Sequence, residues 1–274
     1  MDLFQAIVLG IVQGLTEFLP ISSSGHLRIV PAFAGWKDPG AAFTAVIQLG
    51  TMAAVVLYFR EDLWRIARAW LASLRDASRR SELDARMGWY LIFGTVPIVI
   101  FGVAFKHQIE NGARDLYLIG TTLIVFGLLL LAAERVSRRD RDVSTLTRRD
   151  AIIVGFAQAL ALVPGVSRSG ATITAGLVLG FDRVSAARFS FLLSIPAVVL
   201  SGLYELKDVA SGAAKGAAGV GPTAVATVLA FVTGYLSIAF LLRYLTSHST
   251  AIFVVYRVVL GAAVLALVGT GTIG

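Results

Sequence analysis

The chain contains no cysteine among its 274 residues, which excludes disulfides, thiolate chemistry and cysteine-held metals and leaves the redox compartment unreadable. Charge is scarce: 15% of residues are Asp, Glu, Lys or Arg, against roughly 25% in an average soluble domain. The first apolar run starts at Asp2 instead of a basic cluster and leads into Glu17 instead of a small-residue cleavage site, so no cleaved leader is expected. In place of polar surface the chain has apolar length, with 57% hydrophobic residues and a mean hydropathy of +0.79. Six runs, 42–59, 88–105, 116–133, 186–204, 222–242 and 251–270, approach the ~20 apolar residues that cross a bilayer core. An all-α polytopic membrane protein follows. Its net charge of +7 falls mostly in connections between these runs, which points to lipid head groups and away from nucleic acid.

Seven arginines lie within 60–86 and six within 135–149. By the positive-inside rule both connections face the cytoplasm, and 106–115 becomes the outer turn of a hairpin. The first connection alternates in sign and reads in part as an amphipathic surface helix. The segment 6–27 recurs at 151–172 with eight of 22 positions identical, each copy an apolar run broken by a Ser/Gly loop. Irregular backbone is tolerated at membrane depth only where protein or a wet cavity receives it, so 1–30 and 151–181 are expected to be re-entrant helix–loop–helix elements. Three spans separate them, an odd number, which makes an inverted-topology repeat. One membrane domain, 1–274, would comprise repeat one at about 1–134 and repeat two at about 151–270, with both termini outside. That arrangement puts 17 Lys and Arg inside, Arg183, Arg188, Arg243 and Arg257 among them, and five outside (Lys37, Lys106, Arg114, Lys207 and Lys215), with Arg28 and Arg168 in the loops.

The chemistry-bearing residues sit in the repeated loops. Arg168 lies in PGVSRSG, where Pro164 ends a helix and Gly165 and Gly170 free the backbone. With Ser167, Ser169, Thr172 and a helix N-terminus it forms a phosphate cradle; the plainer role is a loop arginine on a lipid phosphate. Gln13 and Glu17 share a helix face at i, i+4. An intramembrane carboxylate is a functional candidate: it could ligate a divalent cation, act as a base or orient His26. Gln13 could instead bond a broken helix backbone. His26 beside Ser22, Ser23 and Ser24 allows a nucleophile, a base and an orienting group to be assembled locally. Loop serines also serve as caps. His107 and His248 fall at helix ends and read as interfacial.

The pattern Gln13-x-x-x-Glu17, with PISSSGH at 20–26 and PGVSRSGAT at 164–172, resembles the two signature motifs of the undecaprenyl-diphosphate phosphatase family, also called the bacitracin-resistance protein family. The similarity extends over the whole chain, through F-x-x-x-I-Q-L-G at 43–50 and ARFSFLLSIP at 187–196. The family's first motif begins with Glu or Gln, so Gln13 is an accepted variant, and it weakens any claim that a carboxylate pair is required. The resemblance implies hydrolysis of the terminal phosphate of a C55 lipid-carrier diphosphate at the outer face of the bacterial cytoplasmic membrane. The carrier is thereby recycled for cell-wall polymers, and bacitracin resistance follows. It also implies a divalent cation, Mg or Ca. Glu17, Ser23, His26, Ser167, Arg168, Ser169 and Thr172 would surround the diphosphate, with Ser22, Ser24, Gly165 and Gly170 in the same loops. Ser23, His26 or water could be the attacking group. A secondary transporter or lipid flippase is the competing expectation, since inverted repeats with broken helices are common there; a scaffolding subunit fits poorly with polar groups gathered in apolar helices. Oligomeric state stays open, a homodimer included.

Overall fold

A computed structural model describes residues 1–105, 115–210 and 219–273. The expected outer turn, with Lys106, His107 and Arg114, lies outside these residues, as does Lys215. Among the described residues there are helices and no strand; one isolated bridge pairs Arg141 with Phe181.

The first repeated segment forms α1 (Leu3–Phe18) and α2 (Ser23–Ala34). Asp2 starts α1 with a reciprocal cap, accepting from the Gln5 amide at 2.8 Å while the Gln5 side chain returns to the Asp2 amide. The apolar run 42–59 is α3 (Gly40–Tyr58), which turns by 72° into α4 (Arg60–Arg75). α4 is the expected amphipathic helix: Ile66 and Ser73 are buried, while Trp64 is exposed beside Arg68, whose guanidinium lies 5.8 Å from the indole centre. α5 (Leu83–Ala104) and α6 (Leu116–Val136) form the hairpin arms. The second repeated segment forms α7 (Arg148–Ala159) and α8 (Arg168–Val178). Then follow α9 (Arg183–Ala210), α10 (Val220–Tyr244) and α11 (Ala251–Gly269).

Five of these helices are long and apolar enough to cross a membrane, and the count reaches six if the bent α3–α4 pair is one span. The halves of the broken elements are shorter. α2 has 12 residues and α8 has 11, a reach of about 16–18 Å at 1.5 Å per residue, so neither could cross ~30 Å of hydrocarbon alone. α9 is the bundle's centre, with 67% of its apolar window buried against 28–44% in the other four spans. Its Phe191 meets Phe18 and Phe59 edge-on or tilted.

Small residues let the broken elements dock. A Cβ on Gly10 of α1 would lie 2.4 Å from the Ala226 carbonyl oxygen of α10. At the repeat-equivalent position, a Cβ on Gly155 of α7 would lie 2.4 Å from the Gly94 carbonyl oxygen of α5. Close backbone approach through small residues is how helices associate where lipid offers no hydrophobic drive. Each half's broken element therefore packs against a span of the other half. At the arginine-rich end, Glu134 ties three helices together: its carboxylate accepts from Arg183, from Arg139 at 3.1 Å and from the Thr250 hydroxyl at 2.9 Å.

One expectation is corrected. Arg257 is not at a basic helix end but in the interior of α11, with 0% exposure. Its guanidinium is spent on backbone carbonyls inside the bundle, so it takes no part in any charge asymmetry between the two faces.

Candidate active site

The two breaks are built alike. Ser22 and Ser167 both adopt positive φ, 75° and 71°, which non-glycine residues rarely do. Each caps the helix after it: Ser22 Oγ accepts from the Gly25 amide at 3.4 Å and Ser167 Oγ from the Gly170 amide at 3.1 Å. Each also pairs with the next serine but one, Ser22 with Ser24 at 3.3 Å and Ser167 with Ser169 at 3.2 Å. Ser23 and Arg168 thus occupy the same place, the first residue of a helix. There the first-turn amides have no intrahelical acceptor, and both helices bring positive dipole ends to one spot.

Glu17 joins them. One carboxylate oxygen accepts from the Arg168 guanidinium; the other accepts from Ser23 Oγ at 2.5 Å and from Gln13 Nε2 at 3.1 Å. The ion pair is sequestered, with side-chain exposures of 16% for Arg168 and 6% for Glu17. Ser169 Oγ closes the seam between the loops by donating to the Leu19 carbonyl at 3.0 Å. Acid and hydroxyl six residues apart and a guanidinium 145 or more residues from both form one continuous network.

His26 stands apart from that network. Its Nδ1 lies 2.7 Å from the Ser22 carbonyl oxygen and its Nε2 lies 2.7 Å from Tyr256 Oη. A carbonyl only accepts, so Nδ1 carries the proton and Nε2 takes the tyrosine hydroxyl. Glu17 does not orient His26, because both imidazole nitrogens are taken by the Ser22 carbonyl and the Tyr256 hydroxyl. Thr172 is also turned away: its hydroxyl donates to the Arg168 carbonyl at 2.8 Å and lies 2.5 Å from Ser190 Oγ on α9. Gly165, at φ 84°, has no room for a side chain, since a Cβ would fall 2.1 Å from Thr122 Oγ1. Ser24 is exposed. His248 is exposed at the α10 end and stacks on Tyr244 at 4.5 Å.

Tyr256 and Arg257 are the site residues that sequence reasoning missed. Arg257 donates to five carbonyls: Leu123 and Thr122 on α6, Pro20 in the first break, and Gly165 and Val166 in the second. The signal was an arginine in the middle of the apolar run AIFVVYRVVLG, which intramembrane cost alone marks as functional.

A resident metal finds few ligands. Among the described residues no group of three His, Asp or Glu could hold an ion. Glu17 is the one carboxylate of the site, and the buried Gln13 Oε1 is its one unpartnered acceptor. That donor set fits a divalent ion only if most of its oxygens come with the substrate.

Five or six apolar spans around a partly buried Glu–Ser–Arg network, with two helix N-termini converging on it, define an integral membrane protein with a polar site inside its bundle. The chain belongs to the bacitracin resistance protein BacA family, whose model matches residues 6–263. It is 60% identical over 272 residues to an undecaprenyl-diphosphatase of Nocardioides sp., covering 99% of this chain and 98% of that protein. An undecaprenyl-diphosphatase of Mycolicibacterium smegmatis is 55% identical over 274 residues, covering 100% and 99%, and one of Thermobifida fusca 53% over 273 residues, covering 100% and 92%.

Proposed function

We propose that this protein hydrolyses undecaprenyl diphosphate to undecaprenyl phosphate and inorganic phosphate within the bacterial cytoplasmic membrane, from a site open to the outer side. The observation that carries the reading is the Ser23–Glu17–Arg168 network: a hydroxyl 2.5 Å from a carboxylate that is itself held by a guanidinium. Phosphoryl transfer asks for positioning and for cations at the developing charge. Ser23 Oγ attacks the terminal phosphorus and its proton passes to Glu17. The Ser23 Oγ–P bond forms as the bridging P–O bond breaks, and undecaprenyl phosphate departs. Water then cleaves the phosphoserine, releasing phosphate and restoring the hydroxyl. Arg168 exchanges its carboxylate partner for the transferred group, assisted by first-turn amides of α2 and α8. Glu17 and the Gln13 amide oxygen would be the residues to hold a divalent ion, Mg or Ca, which would supply further charge neutralisation.

His26 as the attacking group is disfavoured, because both its nitrogens are hydrogen-bonded in place. The prenyl tail has an apolar berth nearby, a cavity of about 630 Å³ lined by Phe101, Phe105, Phe156, Leu160 and Pro164, the last belonging to the second break. The arginines at one end of the bundle support the topology in which the two repeats are inverted, with that end in the cytoplasm.

Two broken helices meeting at their tips also suit a lipid flippase. Purified protein in detergent, supplied with C55 diphosphate with and without chelator, separates the readings. Release of inorganic phosphate that fails in Ser23→Ala is expected. Carrier transport in vesicles with no phosphate release would overturn the hydrolase.

A further inference from the structure

Arg257 carries a charge that nothing in its surroundings cancels. It is wholly buried, and among the described residues no carboxylate lies within ion-pair range of it. Its donors all end on carbonyls, two on α6 and three on the breaks: Pro20 at 3.2 Å, Gly165 at 3.1 Å and Val166 at 3.0 Å. Those last three carbonyls belong to backbone that has left helical geometry, the groups that cannot be stranded in a bilayer. Only a planar fork reaches so many acceptors on separate segments; an ammonium offers three donors from one point. The Glu17–Arg168 pair cancels within itself, so Arg257 leaves the site one positive charge in excess before any substrate arrives. Glycine at 170 makes room for it, since a Cβ there would lie 2.7 Å from the Arg257 Nη1.

We infer that Arg257 is the positioning residue of the site, a latch that ties the two breaks to each other and to α6, so that Ser23 and Arg168 face across Glu17. This rests on the hydrolase reading only for its kinetic arm; the latch itself is read by amide exchange. The residue touches no substrate in this role, because it is wholly buried and its guanidinium is bound to backbone carbonyls on three sides.

The test is Arg257→Lys in the full chain, which keeps the charge and loses the fork. Phosphate release from C55 diphosphate is expected to fall about 100-fold in kcat with KM changed less than about threefold, the loss typical of one displaced electrostatic contact. Hydrogen exchange is expected to rise in both breaks, 18–23 and 160–168, and to stay unchanged in α3 and α10. Wild-type turnover together with unchanged exchange in the breaks would overturn the latch, and so would exchange rising evenly along the chain. If Arg257→Lys fails to fold, Gly170→Ala decides, because it crowds the guanidinium without removing it. The expected signature is faster exchange at 18–23, across the seam from the change; exchange raised only around 165–172 would overturn the inference. If neither wild type nor variant releases phosphate while exchange behaves as expected, the hydrolase reading fails and the latch stands.

Discussion

If Glu17 works through Ser23, the two residues must fail together. Glu17→Gln keeps the shape of the side chain but replaces an acceptor of three hydrogen bonds with an amide. One end of that amide must then point N–H groups at the Arg168 guanidinium, or at the Ser23 hydroxyl and the Gln13 amide. The substitution removes the proton acceptor, worth about 10²–10⁴ in rate, and leaves Arg168 without its counter-ion. A loss of ~10³ in kcat, about 4 kcal/mol of transition-state stabilisation, is the expected result. Ser23→Ala should lose a similar factor, with the remainder carried by water attacking a bound diphosphate. Groups that act as one unit are strongly non-additive, so the double variant should be no slower than the slower single, again about 10³ down. The assay is initial-rate phosphate release from C55 diphosphate in detergent, with each variant's melting temperature measured alongside. Losses that multiply towards 10⁶, or a Glu17→Gln variant above a tenth of wild-type rate, would refute the pairing.

Arg168→Ala should lose ~10²–10³ in kcat with the fold retained; turnover like that of the wild type would remove it as the anion clamp. Tyr256→Phe keeps the ring stacked on His26 at 5.6 Å but deletes the hydroxyl on Nε2, and a fall of about tenfold is expected. Phosphoenzyme label appearing on His26 in that variant would show that the tyrosine had been blocking a competent nucleophile. Gly14→Leu should lower the melting temperature sharply or prevent assembly, because even a Cβ there would lie 2.6 Å from the Ala230 carbonyl oxygen of α10; an unchanged melt would contradict the close packing. Glu134→Gln weakens its contacts to Arg183, Arg139 and Thr250 and should cost about 1–3 kcal/mol, the range for hydrogen bonds to a charged group, visible as a lower melting point with little change in KM.

The repeat, the spans and the meeting of Glu17 with Arg168 were legible because they rest on patterns the sequence states openly: apolar length, loop arginines, and two copies of one broken-helix motif. The hydroxyl assignments were less legible. Ser, Thr and Gly in a loop are compatible with an anion cradle and with caps alike, and only coordinates reveal that Thr172 is turned onto Ser190 and that Ser22 and Ser167 are held at positive φ. Orienting His26 is one of three roles the sequence leaves open for Glu17, and nothing in it points to the actual partner, Tyr256, 230 positions away. Arg257 is illegible for a different reason: an arginine in the first half of a span suits the positive inner side and a buried role alike, and only its carbonyl partners on three segments distant in sequence separate the two.

The Gly10–Ala226 docking has a consequence for biosynthesis. α1 is synthesised well before its partner, because the surface it packs against is about 216 residues downstream. At roughly 5–20 residues per second of translation, the amino-terminal helix waits on the order of 10–40 s before α10 exists. Glu17 waits for Arg168 through about the first three quarters of that interval, and Gln13 and Glu17 lack the closed bundle throughout it. An intramembrane carboxylate without its partner is costly, so the second half completes the first by supplying both the charge partner and the packing surface of its opening helix.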